Sequence, residues 1–231
     1  MGNSVVGSAS ANLTRAIGIS TAGDFSAVVA AKWLPPVTGT FPTPFELQNN
    51  LSQSFWTPFQ DDVANGDDIG VEYKLGSATN TDTSLGSNSS LVGKWIHIAF
   101  TYNHSTGAQH VYALTEGFNQ SSPSFLITPS VGTTSIALPN SAVVYNDSSG
   151  ALFFTGKLAH FILTPLELTQ AQVIAQFQQR APISAVTGGG SYTYLSCNNA
   201  ANIAVDSGTL ASNFTKSGTF TDDFVDQPLE W

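Results

Sequence analysis

Residues 94–102 (KWIHIAFTY) alternate strictly between two faces, and no other segment restricts the fold so tightly. Ile96, Ile98, Phe100 and Tyr102 fall on one side, and Trp95, His97, Ala99 and Thr101 on the other. Successive strand side chains point to opposite faces, so this period of two specifies a β-strand. The turn-rich stretch NHSTG (103–107) follows, then a second apolar segment, 108–114 (AQHVYAL), so the pair reads as a hairpin.

The same period recurs along the chain. Residues 25–33 (FSAVVAAKW) form a short run of strand formers, and in 69–75 (IGVEYKL) Ile69, Val71, Tyr73 and Leu75 share a face. Further strands are expected at 124–128, 134–138, 142–145, 151–155 and 157–164, whereas 34–68 and 76–93 read as long loops. One segment departs to helical spacing. In 169–179 (TQAQVIAQFQQ), Val173, Ile174 and Phe177 line one side after Thr169, a suitable N-cap, and a single short helix is expected to lie across the sheets. Many short strands separated by Gly, Pro, Asn and Ser indicate an all-β, two-sheet antiparallel sandwich. Residues 1–186 read as its body and 187–191 (TGGGS) as a flexible linker. The remaining 192–231 are too few to hold a core alone, so they are expected to add strands to the same sandwich.

Composition narrows the function classes. The 231 residues are 42% hydrophobic but only 10% charged, so a substantial core sits under a polar, weakly charged surface. Seven Lys and Arg against sixteen Asp and Glu give a net charge of −9, which argues against nucleic acid and anionic membrane partners. Cys197 is the one cysteine, which excludes an intrachain disulfide and a zinc knuckle. The chain opens without a signal-peptide pattern, and no apolar run approaches the ~20 residues that span a bilayer. Asn-x-Ser/Thr matches at Asn12, Asn50, Asn88, Asn103, Asn119, Asn146 and Asn213 are expected by chance in so Asn- and Ser-rich a sequence. An extracellular-looking composition behind a cytosolic-looking start suggests a virion-surface protein; a domain separated from its leader is the alternative.

Three segments together resemble the laminin G-like and pentraxin-type jelly rolls of the concanavalin A-like lectin/glucanase superfamily. DFSAVVAAKW (24–33) resembles one of the family's strands, VGKWIHIAFTYNHSTGAQHVY (92–112) its hairpin, and GKLAHFILTPLELTQAQVIAQF (156–177) its closing strand and helix. Asp206-Ser-Gly208, Asn213-Phe-Thr215 and Gly218 are similar to an element that ordinarily opens such a domain, here placed near the C-terminus. The resemblance implies a jelly-roll fold and glycan or protein binding, in some relatives assisted by calcium.

Glucanase relatives need paired carboxylates in an E-x-D-x-x-E strand, and Glu46, Glu72, Glu116, Glu167 and Glu230 occupy no such pattern. His97, His104, His110 and His160 lack helical metal-ligand spacing and read as sheet or loop residues. Asp61, Asp62, Asp67 and Asp68 bracket Asn65-Gly66, an oxygen-rich loop suited either to Ca2+ or to plain solvation. Phe55, Trp56 and Phe59 precede it, and their rings either face a sugar or anchor the loop to the core. The resulting expectation is a non-enzymatic module that binds glycan, as a phage decoration, fibre or tail-associated protein. A ligand-free structural subunit contacting other virion proteins, or a homo-oligomer, is the second reading, and a glycoside hydrolase the third.

Overall fold

The computed structural model describes residues 4–7, 11–16, 23–35, 41–49, 55–61, 66–74, 81–115, 124–127, 140–146, 153–154, 156–179, 192–197, 200–210 and 213–223. The strands in chain order are β1 (Ser4–Gly7), β2 (Asn12–Ala16), β3 (Phe25–Lys32), β4 (Phe45–Gln48), β5 (Phe55–Gln60), β6 (Asp68–Lys74) and β7 (Thr81–Ser87). After the short helix α1 (Asn88–Leu91) come β8 (Trp95–Tyr102), β9 (Gln109–Thr115), β10 (Ser124–Ile127), β11 (Ser141–Val144) and β12 (Lys157–Thr164). Helix α2 (Gln170–Gln179) precedes β13 (Thr193–Leu195), β14 (Thr215–Ser217) and β15 (Phe220–Asp223).

These strands form two antiparallel sheets stacked as a jelly-roll sandwich. The first runs β10-β9-β8-β3-β12-β1-β15, and the second β14-β2-β11-β4-β5-β6-β7. β12 pairs with β3 along its whole length; its other edge is shared by β1, at Leu158 and Lys157, and β13, at Phe161–Leu163. β14 continues the second sheet against β2, and β15 continues the first against β1.

The alternation along β8 and β3 decides where each face goes. Ile96, Ile98, Phe100 and Tyr102 meet Phe25, Ala27, Val29 and Ala31 in the main core, with Phe45, Leu47, Trp56 and Val71 facing them from the second sheet. The opposite face of the first sheet is covered too. Val28, Ala99, Tyr112, Leu114 and Ile162 pack under Leu168, Val173 and Phe177, the last two from α2. With both faces covered, β3 reads as the near-continuous apolar run seen in the sequence. α2 starts as expected: the Thr169 N–H and hydroxyl both donate to the Gln172 side chain at 2.9 Å, a Thr-x-x-Gln capping box.

Several expectations change. The two long "loops" contain β4, β5, β7 and α1. β5 carries Pro58, a residue that usually argues against a central strand. Here β4 pairs with β5 only at Leu47↔Trp56 and Gln48↔Phe55, so no ladder bond from β4 requires an N–H at position 58. The Thr57 hydroxyl donates to the Phe45 carbonyl at 2.8 Å where the β4 ladder ends. Of the strand expected at 151–155, residues 153 and 154 are described, and Phe153 makes an isolated bridge with Thr43. The strand expected at 134–138 and the linker at 187–191 lie outside the described residues.

Candidate functional site

β5 runs from one end of the sandwich to the other, and this separates the residues that the sequence placed together. Trp56 lies at its start and Asp61 just past its end, five residues or about 16 Å apart at strand rise. Trp56 and the acidic turn therefore lie apart, whereas Phe59, two residues before Asp61 and paired with Gly70, stays beside the acidic end. Trp56 is 1% exposed and points into the core, its ring edge-on to Phe25 at 4.8 Å. In this position it anchors the sheets together and offers no open face. Phe59 is half-buried on the same strand; of Phe55 only the backbone is described.

At the acidic end, the Asp61 N–H donates to the Asp68 carbonyl at 2.7 Å and closes the β5–β6 hairpin. Gly66 has φ +138°, and the Asp61 and Asp68 carboxylates both lie beside its Cα. Asp67 takes a left-handed φ of 55° and is held by Asn88. The Asn88 amide donates to Asp67 Oδ1 at 3.1 Å and to the Asp61 carbonyl, and its own oxygen accepts from Gln60 Nε2 at 3.1 Å. Asn88 is therefore a buried loop clamp, a role its sequence context did not signal. Asp62 lies outside the described residues, among which no group of three or more His, Cys, Asp or Glu is placed to hold a metal ion.

The opposite end holds the denser polar cluster. Tyr102, last in β8, sits directly across from Gln109, first in β9, and both face the core beside Trp56. The Trp56 indole N–H donates to Gln109 Oε1 at 3.0 Å. An indole nitrogen can only donate, so this contact fixes the amide with its NH2 group turned away. Gln109 Nε2 and the Tyr102 hydroxyl are buried and, among the described residues, have no hydrogen-bond partner. Burial, and secondarily the Asp24 carboxylate, raises the Tyr102 pKa above its ordinary value, which keeps the hydroxyl protonated.

Around this pair lies a rim of turn residues. The His104 N–H donates to Asp24 Oδ1 at 2.8 Å, and the His104 ring meets the Tyr102 ring edge-on at 6.3 Å. Asn103 organises the hairpin tip: its Oδ1 accepts from the Thr106 N–H at 2.9 Å, while its Nδ2 donates to Glu167 Oε2 at 2.6 Å. His110 Nε2 stands 4.0 Å from Glu167 Oε1. Asp24 and His104 thus lie beside the core-facing Tyr102–Gln109 pair, whereas Glu167 and His110 lie with Tyr112 on the outer face of the first sheet. The sequence marked the NHSTG turn but not Asp24, Tyr102 and Gln109 as one group. Only the register Tyr102↔Gln109 and Phe25↔Tyr102 assembles them.

Two sheets in this order, with a helix across the outer face of one, define a sandwich of the concanavalin A-like kind. Comparison with known proteins agrees on the fold. No family profile matches the chain, and no curated protein does. Among solved structures it is similar to a candidate carbohydrate binding protein from Bacteroides ovatus, at TM-score 0.67 and 16% identity over 99% of this chain. The chain spans 61% of that structure's length. It is also similar to the heptameric SAP-like pentraxin of Limulus polyphemus, at TM-score 0.54 and 12% identity, over 96% of this chain and 94% of the pentraxin. At these identities the likeness shows the fold. No helix among the described residues is long and apolar enough to cross a membrane.

Proposed function

We propose that this chain is a non-enzymatic binding module whose ligand is a glycan. The observation that carries the reading is the fold it shares, over 99% of its length, with a candidate carbohydrate binding protein. The polar end of the sandwich supports it, because hydroxyl-rich ligands need donors and acceptors side by side. The non-enzymatic part rests on the sequence, which has no E-x-D-x-x-E strand for glycoside hydrolysis. Neither the fold nor the similar structures point to a virion, so the binding role stands without that setting.

The test is a broad glycan array probed with the full chain, once with calcium and once with chelator. Reproducible binding to a defined set of glycans supports the module. Binding lost in chelator shows that glycan binding requires a cation, for which the Asp61–Asp68 loop is the candidate to mutate. An empty array under both conditions refutes the glycan reading.

A further inference from the structure

We infer that helix α2 is an acid-released cover of the first sheet, docked only while the two histidines beneath it, His97 and His160, stay neutral. Cross-strand register puts both in one row of the outer face: Leu114, His97, Ala30 and His160 lie side by side on β9, β8, β3 and β12. His97 and His160 stand two strands apart, about 10 Å at strand spacing, yet their ring centroids are 5.6 Å apart. The small Ala30 between them leaves room for the rings to meet over it. α2 closes the row from above. The Phe177 ring is 5.2 Å from that of His97, and His97, His160, Gln176 and Phe177 are 0%, 4%, 1% and 0% exposed.

Imidazole in water takes up a proton near pH 6.5, so it is the side chain that gains charge in mild acid. Beneath α2 that charge loses its water, and a second proton arrives beside a like charge. The neighbouring groups add to the cost. The next row on the same face, Trp95, Lys32 and Lys157, brings two ammonium-bearing side chains, and neither row contains a carboxylate. From β9 and β13 come Tyr112 and Tyr194, whose pKa values burial raises, so both stay uncharged in this range. α2 (QAQVIAQFQQ) carries no charged residue; the carbonyl end of its last turn, where Phe177 lies, eases a first proton but not a second. Glu167 and Asp24 belong to the far end of the sheet. Glu167 sits beside His110, which pairs with Thr101, four residues or about 13 Å along β8 from His97; Asp24 precedes Ala30 by six residues. Protonating His110 strengthens its pair with Glu167 and so works against release. In acid the strain on His97 and His160 is relieved by lifting α2, which lets water reach them and uncovers Val28, Ala99, Leu114 and Ile162.

The experiment follows the full 15N-labelled chain by NMR from about pH 7.5 to about pH 5, above the range in which ordinary carboxylates take up protons. Amide exchange of α2, corrected for its intrinsic pH dependence, gives the opening equilibrium of the helix. The imidazole C2 proton resonances give the state of each histidine. Below about pH 6.5, opening should grow about tenfold per pH unit for each imidazole that stays neutral under the docked helix, while the amides of β4 and β11 in the second sheet keep their protection. His97→Gln and His160→Gln keep a polar donor and acceptor in place of the ring, and each should lose one such factor of about ten. The double variant should open equally at every pH. The parent alone gives an independent reading should a variant fail to fold: its His97 and His160 resonances should keep their neutral positions until α2 opens. Three results overturn the inference: α2 protection unchanged down to about pH 5, a double variant as acid-sensitive as the parent, or either imidazole titrating near its ordinary pKa of about 6.5 beneath a helix that is still protected.

Discussion

Replacing Asp206 by Asn should destabilise the protein more than any other single-atom-scale change in the C-terminal segment. Asp206 Oδ2 pairs with Arg15 Nη1 at 2.9 Å, the two side chains being 0% and 11% exposed. Asp206 Oδ1 accepts from the N–H groups of Tyr194 and Gly208 at 2.9 and 2.8 Å. The Asp206 N–H in turn donates to Asn213 Oδ1 at 3.1 Å. This one residue therefore ties β2 of the second sheet to the segment that carries β13 and β14. Asn keeps an acceptor for the two backbone N–H groups but turns an NH2 towards the guanidinium, so the loss falls on Arg15. Leaving one member of a buried pair uncompensated costs about 3–5 kcal/mol; because Arg15 keeps its bond to Thr193 at 2.8 Å, about 3 kcal/mol is expected. Asp206→Ala should cost about 2 kcal/mol more, since both backbone donors then lose a charged acceptor. In urea, with a slope of about 3 kcal/mol per M for a chain of this size, the Asn variant should move the midpoint down by about 1 M. Arg15→Met combined with Asp206→Asn should cost clearly less than the two separate losses added together. An Asn variant within about 0.5 kcal/mol of the parent, the spread of an ordinary surface change, would refute the clasp.

Other outcomes follow from the same packing. Burial raises the Cys197 thiol above its ordinary 9.0, and burial, then Cys197 and Tyr192, push Tyr194 from 10.0 up to about 12. Groups with raised native pKa stabilise the fold below their unfolded pKa and lose that contribution as pH rises. Stability should therefore be flat to about pH 8.5 and then fall by up to about 1.4 kcal/mol per pH unit per group, with Cys197→Ala removing the part that starts near pH 9. Urea midpoints between pH 7 and 11 check this; a midpoint that stays level to pH 11 contradicts it. Gly208→Ala would drive a methyl into the Tyr192 carbonyl and should cost about 2 kcal/mol or more, read as a lower melting temperature. Trp56→Ala empties a core position between Phe25 and Tyr102 and should cost about 3–5 kcal/mol in the same assay.

How far the sequence could be read depended on which side of each strand meets solvent. β8, β9, β12 and α2 were legible because their alternation or helical spacing reports a buried face directly. β7 (TDTSLGS) was not, since it is the edge of the second sheet and its Thr and Ser carry no apolar period. β5 was hidden by Pro58, whose cost is avoided only because β4 stops two residues earlier in the pairing. The candidate site was less legible than the fold. Trp56 and the Asp61–Asp68 loop are close in sequence, but about 16 Å of extended strand separates them, and Phe59 stays at the acidic end. Conversely, Asp24, Tyr102 and Gln109 are brought together by cross-strand register and by the hairpin tip that bonds Asp24. Neither is encoded in local spacing.

The indole N–H of Trp56 reports on the polar end of the sandwich most directly, because it donates to Gln109 Oε1 there at 3.0 Å. With 15N-labelled tryptophan the chain should give four indole resonances, one per Trp, and Trp56→Phe identifies the relevant one. Titration with a neutral glycoside found to bind should shift the Trp56 resonance while the indoles of Trp33 and Trp95, at the opposite end of the first sheet, stay in place. Saturable sugar binding that leaves Trp56 unmoved would contradict the account.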